Sequence, residues 1–224
     1  MNFADQTFSG EIVASLRLSG PVGGRTKRTF DIVVSLFAII ALLPLFAGCA
    51  IAIWASSPGP VLFMHRRIGY RGRSFGCLKF RTMVVDAEQR LQDHLASNPE
   101  ARREWLATHK LRNDPRIIPF GRFMRKSSLD ELPQLFNVLR GEMSMVGPRP
   151  IVEEEVGKYE HEFSIYVGSR PGMTGLWQIR GRNKTTYAER VAYDTTYIRT
   201  WSLLNDLKIL VATIRHVVDT DGAY

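Results

Sequence analysis

Cysteine is scarce in this chain. Cys49 lies inside an apolar run and Cys77 between Gly76 and Leu78, and two such residues in 224 offer neither the number nor the spacing of a disulfide framework or a metal knot. The sequence therefore reads as one at home in a reducing compartment. Internal repeats and low-complexity tracts are also missing, so a single ordinary domain with an appendage is expected. Acids are the under-represented charge, with 22 Asp+Glu against 30 Lys+Arg for a formal net charge of +8. That balance calls for an anionic partner: nucleic acid, acidic lipid or a phosphorylated substrate. Nucleic acid fits worst, because the basic residues are split by an apolar segment and no recognition motif is present.

What the sequence does have is membrane-length hydrophobicity. From Ile32 to Trp54 there are 23 consecutive uncharged residues, roughly 35 Å of helix. A cleavable signal peptide does not match, since the run begins only after residue 31 and exceeds the usual h-region. Arg17, Arg25, Lys27 and Arg28 precede the run, and Arg66, Arg67, Arg71, Arg73, Lys79 and Arg81 follow it. The positive-inside rule thus asks for both ends on the cytoplasmic side. Pro44, near the middle, removes one helical N–H and would break or kink the helix. Together these predict a re-entrant helical hairpin over 27–57, with a kinked single-pass helix as the alternative. A flexible basic arm is expected over 1–26 and a cytoplasmic domain over 58–224.

After the turn cluster "SSPGP", residues 61 to 90 carry seven Lys/Arg against two acids in a pattern of short strands, suited to phosphate or a lipid surface. Residues 86 to 111 read as paired helices interrupted at Asn98-Pro99. Leu132 to Arg140 has helical spacing and stops at Gly141. Glu153 opens a further helix to about Phe163. "SLLNDLKILVATIRHVV" reads as an amphipathic helix whose row Leu203, Leu207, Leu210, Ile214 and Val217 is expected to pack on the core rather than on a bilayer. The sum is an α+β fold, mostly helical with short β elements, built on a membrane hairpin.

Chemistry concentrates in "RKSSLDELPQLFNVLRGEMSMVGPRP", residues 125 to 150. Ser128 to Glu131 matches a capping box and Pro133 suits a first turn, so the adjacent Asp130 and Glu131 are expected to punctuate a helix start. They also stand among Arg122, Arg125, Lys126 and Arg149, groups suited to phosphate oxygens. Cations and a helix end would keep a carboxylate ionised, as a nucleophile or a Mg²⁺ ligand requires. With a diphosphate substrate, one carboxylate could attack phosphorus while its neighbour holds the metal.

In order and spacing, "KRTFD", "HRRIGYRG", "LKFRTM", "SLDELPQLFNVLRGEMSMVGPRP", "RPGMTGLWQIRGR" and "SLLNDLKIL" resemble the monotopic polyprenyl-phosphate phosphoglycosyl transferases, the bacterial sugar transferases, and most of all their short ExoY-type members. The resemblance spans residues 27 to about 216. It implies transfer of a hexose-1-phosphate, by analogy galactose-1-phosphate before glucose-1-phosphate, from a UDP-hexose to undecaprenyl phosphate. Release of UMP, use of Mg²⁺ and action at the cytoplasmic face of the bacterial inner membrane go with it. It further implies Asp130 as nucleophile, Glu131 as its assistant and metal ligand, and Lys79, Arg81, Arg125, Pro148 and Arg149 around the phosphates. Asp194 and Tyr197, in "YDTTY", match another motif near the site. Asn205 departs from the aromatic or apolar residue common in relatives. A membrane-bound hydrolase of nucleotide-sugars or lipid pyrophosphates and a basic membrane adaptor stay open beside the transferase. A homodimer is compatible with confinement to a plane, though no residue points to it.

Overall fold

The computed structural model describes residues 20–181 and 185–218. The expected arm, up to residue 19, lies outside that range, as do Arg182 of the "RPGMTGLWQIRGR" motif and the last six residues. Helix α1 (Gly24–Ser56) starts before the boundary expected at residue 27. It runs without interruption through Pro44, so the break expected there is not seen. A proline in a helix forfeits a single i→i−4 bond, here to the Ile40 carbonyl, and a long apolar helix can absorb that loss. Its length and composition suffice to cross a membrane, and Ile32, Val33, Leu36, Phe37, Ile40, Leu43, Ile51 and Trp54 all point outward.

The chain continues through β1 (Leu62–Ile68), a 3-10 turn (Tyr70–Gly72) and β2 (Ser74–Phe80), paired as a hairpin. Then come α2 (Ala87–Ser97), α3 (Pro99–Thr108), α4 (Pro119–Lys126), a 3-10 turn (Leu129–Glu131), α5 (Gln134–Arg140) and β3 (Ser144–Val146). A long 3-10 segment (Glu153–Glu162) leads into α6 (Phe163–Tyr166), β4 (Gly172–Thr174), α7 (Leu176–Arg180), α8 (Tyr187–Arg199) and α9 (Leu203–Val218). Mostly helical with a few short strands, this is the architecture the sequence suggests.

Two compact units share these elements. One comprises the described residues of 20–42, 64–78 and 133–218. Ile68, Ile151, Tyr159, Phe163, Tyr166, Val167 and Val191 form its core. In it β3 and β4 pair in parallel, Ser144 opposite Gly172 and Val146 opposite Thr174. Glycine is required at 172, because a Cβ there would stand 2.1 Å from the Gly147 nitrogen. One face of α1 is polar and buried in this unit. Lys27 Nζ pairs with Asp206 Oδ2 at 2.6 Å, and Asp206 also accepts from Tyr197 Oη (2.7 Å) and Trp201 Nε1 (3.0 Å). Asp31 accepts from Ser144 Oγ (2.9 Å) and the Met145 N–H (3.0 Å). Arg28 donates to the Val138 and Leu139 carbonyls at 2.6 and 2.7 Å, which serves the orphan acceptors at the C-terminus of α5. Gly141, at φ 82°, then ends that helix in the left-handed conformation that favours glycine.

Helix α9 departs from expectation. Its inward positions are Asp206 and Ile209, while Leu204, Leu207, Val211 and Ile214 face outward. The buried Lys27–Asp206 pair fixes the rotation of the helix, because an ion pair out of water has no alternative partner. Asn205 sits in the first turn, where its Nδ2 donates to the Thr200 carbonyl at 3.3 Å.

The other unit comprises residues 43–63 and 79–132. Cys49, Ile53, Phe80, Ile118 and Met124 form its core, joined by Phe46, Val61, Val84, Phe120, Leu129 and Leu132. The 86–111 segment is the expected helix pair: Asn98 Oδ1 accepts from the Glu100 and Ala101 N–H groups at 3.0 Å each, and Pro99 occupies the first turn.

Candidate active site

The carboxylate pair belongs to the second unit. Ser128 adopts φ 57° and makes no side-chain cap, so the capping box read from the sequence does not form. Instead Leu129 to Glu131 make one 3-10 turn, and α5 begins only at Gln134, after Pro133. Leu129 and Leu132 pack into the core of the unit. These two apolar anchors hold the turn and leave Asp130 and Glu131, between them, half-buried.

Lys79, the last residue but one of β2, donates from Nζ to Glu131 Oε1 at 2.7 Å. Arg125 is oriented from behind by its Nε bond to Thr82 Oγ1 at 2.8 Å. Thr82 escaped the sequence reading; its signal is weak because β2 stops at Phe80, so strand alternation cannot assign its direction. Burial pushes the Asp130 carboxyl up to about 6, with Lys79 and Arg125 drawing it down and Glu131 adding to the rise. Cations and a helix end were expected to hold this group low, but desolvation outweighs them. At pH 7 the group is still mostly ionised, and it is poorly hydrated. Arg122 and Lys126 are exposed on α4. Arg81 is engaged elsewhere, with its Nη2 donating to the Ser57 carbonyl and its Nη1 to the Pro58 carbonyl at 3.4 Å. It ties down the turn that follows α1.

In the first unit, Pro148 is buried and Arg149 half-buried. The Arg149 guanidinium lies over the Trp177 ring, 5.1 Å from its centroid. The carbonyl of Arg149 accepts from Tyr166 Oη at 3.1 Å. Asp194 is 1 % exposed and its Oδ2 accepts from Tyr159 Oη at 2.7 Å. Burial pushes its carboxyl up to about 7, against the Tyr159 hydrogen bond and the charges of Arg190 and Arg149. Tyr197 is a core residue, with its hydroxyl given to Asp206 and the Val146 carbonyl. The sequence reading also missed Arg190, which lies one turn before Asp194 on α8 and so on the same face. Its Nη1 stands 3.4 Å from Glu155 Oε1, and Glu155 also lies 3.8 Å from Arg67.

Among the described residues no group of three or more His, Cys, Asp or Glu gathers as a ready-made metal site. Mg²⁺ commonly binds through one or two carboxylates and completes its shell with substrate phosphates and water. Asp130 and Glu131 offer that donor set: two hard oxygen groups, of which Asp130 has no hydrogen-bond partner in any other described side chain.

Residues 22–220 match the family model described as bacterial sugar transferase. The exopolysaccharide production protein ExoY of Sinorhizobium fredii is 51 % identical over 91 % of this chain and 90 % of its own length. The undecaprenyl-phosphate galactose phosphotransferase of Salmonella typhimurium is 47 % identical over 97 % of this chain, which corresponds to 46 % of the longer relative. The UDP-glucose:undecaprenyl-phosphate glucose-1-phosphate transferase of Xanthomonas campestris is 41 % identical over 88 % of this chain and 40 % of its own length. With the family model matching almost end to end, the chain belongs to the bacterial sugar transferase family.

Proposed function

We propose that this protein transfers a hexose-1-phosphate from a UDP-hexose to undecaprenyl phosphate, releasing UMP, as a membrane step of exopolysaccharide synthesis. Relatives named for this reaction, matched over most of the chain, support the reaction class. Galactose is favoured over glucose because the relatives named for galactose are 45 to 48 % identical and those named for glucose 40 to 41 %.

The observation that carries the mechanism is Asp130, a half-buried carboxylate on a fixed turn with Lys79 and Arg125 nearby. Its oxygen attacks the phosphorus that bears the sugar, the bond to the UMP oxygen breaks, and UMP leaves with that electron pair. An aspartyl phosphosugar remains. The phosphate oxygen of undecaprenyl phosphate then attacks the same phosphorus, forms the lipid diphosphosugar and returns Asp130 as a carboxylate. Lys79, steadied by Glu131, and Arg125, steadied by Thr82, offer fixed positive charge to the phosphate oxygens. Asp130 and Glu131 are the residues that would hold Mg²⁺, and the metal would supply charge neutralisation for the diphosphate.

By the same reading α1 lies in the inner membrane as a re-entrant element, with the enzyme on the cytoplasmic face. Its support is twofold. Basic residues flank both ends of the apolar run, and both ends of the helix are engaged in folded chain, the first by Lys27 and Asp31, the last by Cys49 and Ile53. In a cysteine-free background, single cysteines near residue 22 and residue 60 should label from the same side of sealed vesicles. Labelling from opposite sides would establish a spanning helix. For the chemistry, Asp130→Asn should lose sugar-phosphate transfer from labelled UDP-galactose while membrane association persists. Full activity would remove Asp130 from the nucleophile's role. Acid-quenched wild type should carry a hexose phosphate on the peptide containing Asp130 by mass spectrometry.

A further inference from the structure

Arg190 is an unusual group to find inside the first unit. It is 8 % exposed, its Nη1 reaches Glu155 only at 3.4 Å, and its Nε and Nη2 are buried with no acceptor among the described residues. Buried guanidinium N–H groups without partners are costly, and each instance asks for a reason. What Arg190 does touch are two ring faces, Tyr187 at 4.7 Å and Trp177 at 5.3 Å from the centroids. The Trp177 ring is also pinned at its edge, since Nε1 donates to Thr185 Oγ1 at 2.8 Å. On that same indole lies the guanidinium of Arg149.

Arg149 is held at its carbonyl and along its side chain. Tyr166 Oη holds its carbonyl, and its side chain is laid along the indole. The guanidinium donates to no described residue. A guanidinium held by stacking alone keeps its planar fork of N–H groups for an incoming oxyanion, and little rotamer freedom is left to lose on binding.

We infer that Trp177 and Arg190 are positioning residues for Arg149: Arg190 and Thr185 lock the indole, and the indole presents the Arg149 guanidinium to a phosphate oxygen of the substrate. The inference deepens the transferase reading and rests on it, since it takes Arg149 as a phosphate-binding group. Arg190 acts through the ring and touches no substrate.

A double-mutant cycle on the full chain in lipid nanodiscs tests this, with Trp177→Leu, Arg149→Lys and the pair. Loss of a cation–π platform should lower kcat/KM for UDP-hexose roughly tenfold in the Trp177→Leu protein. In the Arg149→Lys background the same change should cost less than about threefold, because the group being positioned is already altered. Trp177→Phe, which keeps a flat ring, should recover most of the loss, and Arg190→Lys should fall between. Equal fold losses in both backgrounds would mean that Trp177 merely supports the fold, and would overturn the inference. Should Arg149→Lys be too slow to assay, equilibrium dialysis of labelled UMP against the same four proteins reads the same coupling. A wild-type protein that transfers no hexose phosphate would sink the transferase reading. Additivity in an active enzyme would sink only the platform.

Discussion

Lowering the pH from 7 to 5 should silence Asp130 while an ordinary carboxylate would scarcely respond. With its carboxyl near about 6, roughly nine-tenths of the group is ionised at pH 7 and roughly one-tenth at pH 5. The first half-reaction should therefore slow by about tenfold. A carboxyl at the ordinary value of 3.8 would lose less than about a tenth of its ionised form over the same interval. The assay is the burst of UMP from UDP-galactose in the absence of undecaprenyl phosphate, which keeps titration of the lipid phosphate out of the measurement. Enzyme held at pH 5 and returned to pH 7 should recover its full burst, showing that acid did not unfold it. Lys79→Met removes the cation that most strongly draws Asp130 down, so its limb should move to higher pH. A burst rate that stays flat from pH 5 to 8, or a Lys79→Met limb displaced to lower pH, would refute desolvation as the controlling influence on this carboxylate.

Three further outcomes follow from the packing. Lys27→Met strands the buried Asp206 carboxylate, and since Tyr197 and Trp201 still donate to it, the loss should sit near the lower end of the usual 3–5 kcal/mol, about 3 kcal/mol by thermal unfolding. Adding Asp206→Leu should return part of it. Asp194, raised by burial from 3.8 to about 7, binds a proton more tightly folded than unfolded, so its contribution is fully present below about 4 and is lost as pH rises through about 7. Melting curves from pH 5 to 8 should thus show the wild type losing ground to Asp194→Asn as pH increases, and parallel curves would count against it. Gly172→Ala drives a methyl group into the Gly147 nitrogen and the Thr174 carbonyl; little folded protein should survive expression and limited proteolysis, and a normal melt would show that β3 and β4 can part.

Periodicity carried the reading of this fold furthest. Asn98-Pro99 as the interruption between two helices, Gly141 as a stop and the strand pair after the apolar run follow from local backbone rules, which need no tertiary partner. Tertiary choices are where the sequence was silent. The Ser128 capping box is a good local solution, and it loses because Leu129 and Leu132 are both drawn into a core that includes Cys49 and Ile53, far off in sequence. The raised Asp130 carboxyl has the same origin, since burial depends on what packs around the turn. Tyr197 and Arg81 read as site residues from their motifs, and the structure gives the Tyr197 hydroxyl to Asp206 and the Arg81 Nη2 to the Ser57 carbonyl. Arg190 was legible, because its i,i+4 relation to Asp194 puts a cation and a carboxylate on one helical face.

The way the backbone is shared between the two units bears on how this enzyme can be dissected. Residues 20–42, 64–78 and 133–218 build one, and 43–63 with 79–132 build the other, so the chain passes from one to the other four times. No single cut separates them, and neither can be expressed alone as a continuous stretch of the natural sequence. Truncation from either end cuts into the first unit before it reaches the second. A chimaera meant to exchange the whole unit of the carboxylate turn between relatives needs two grafted segments, 43–63 and 79–132, of which the second carries both Lys79 and Asp130.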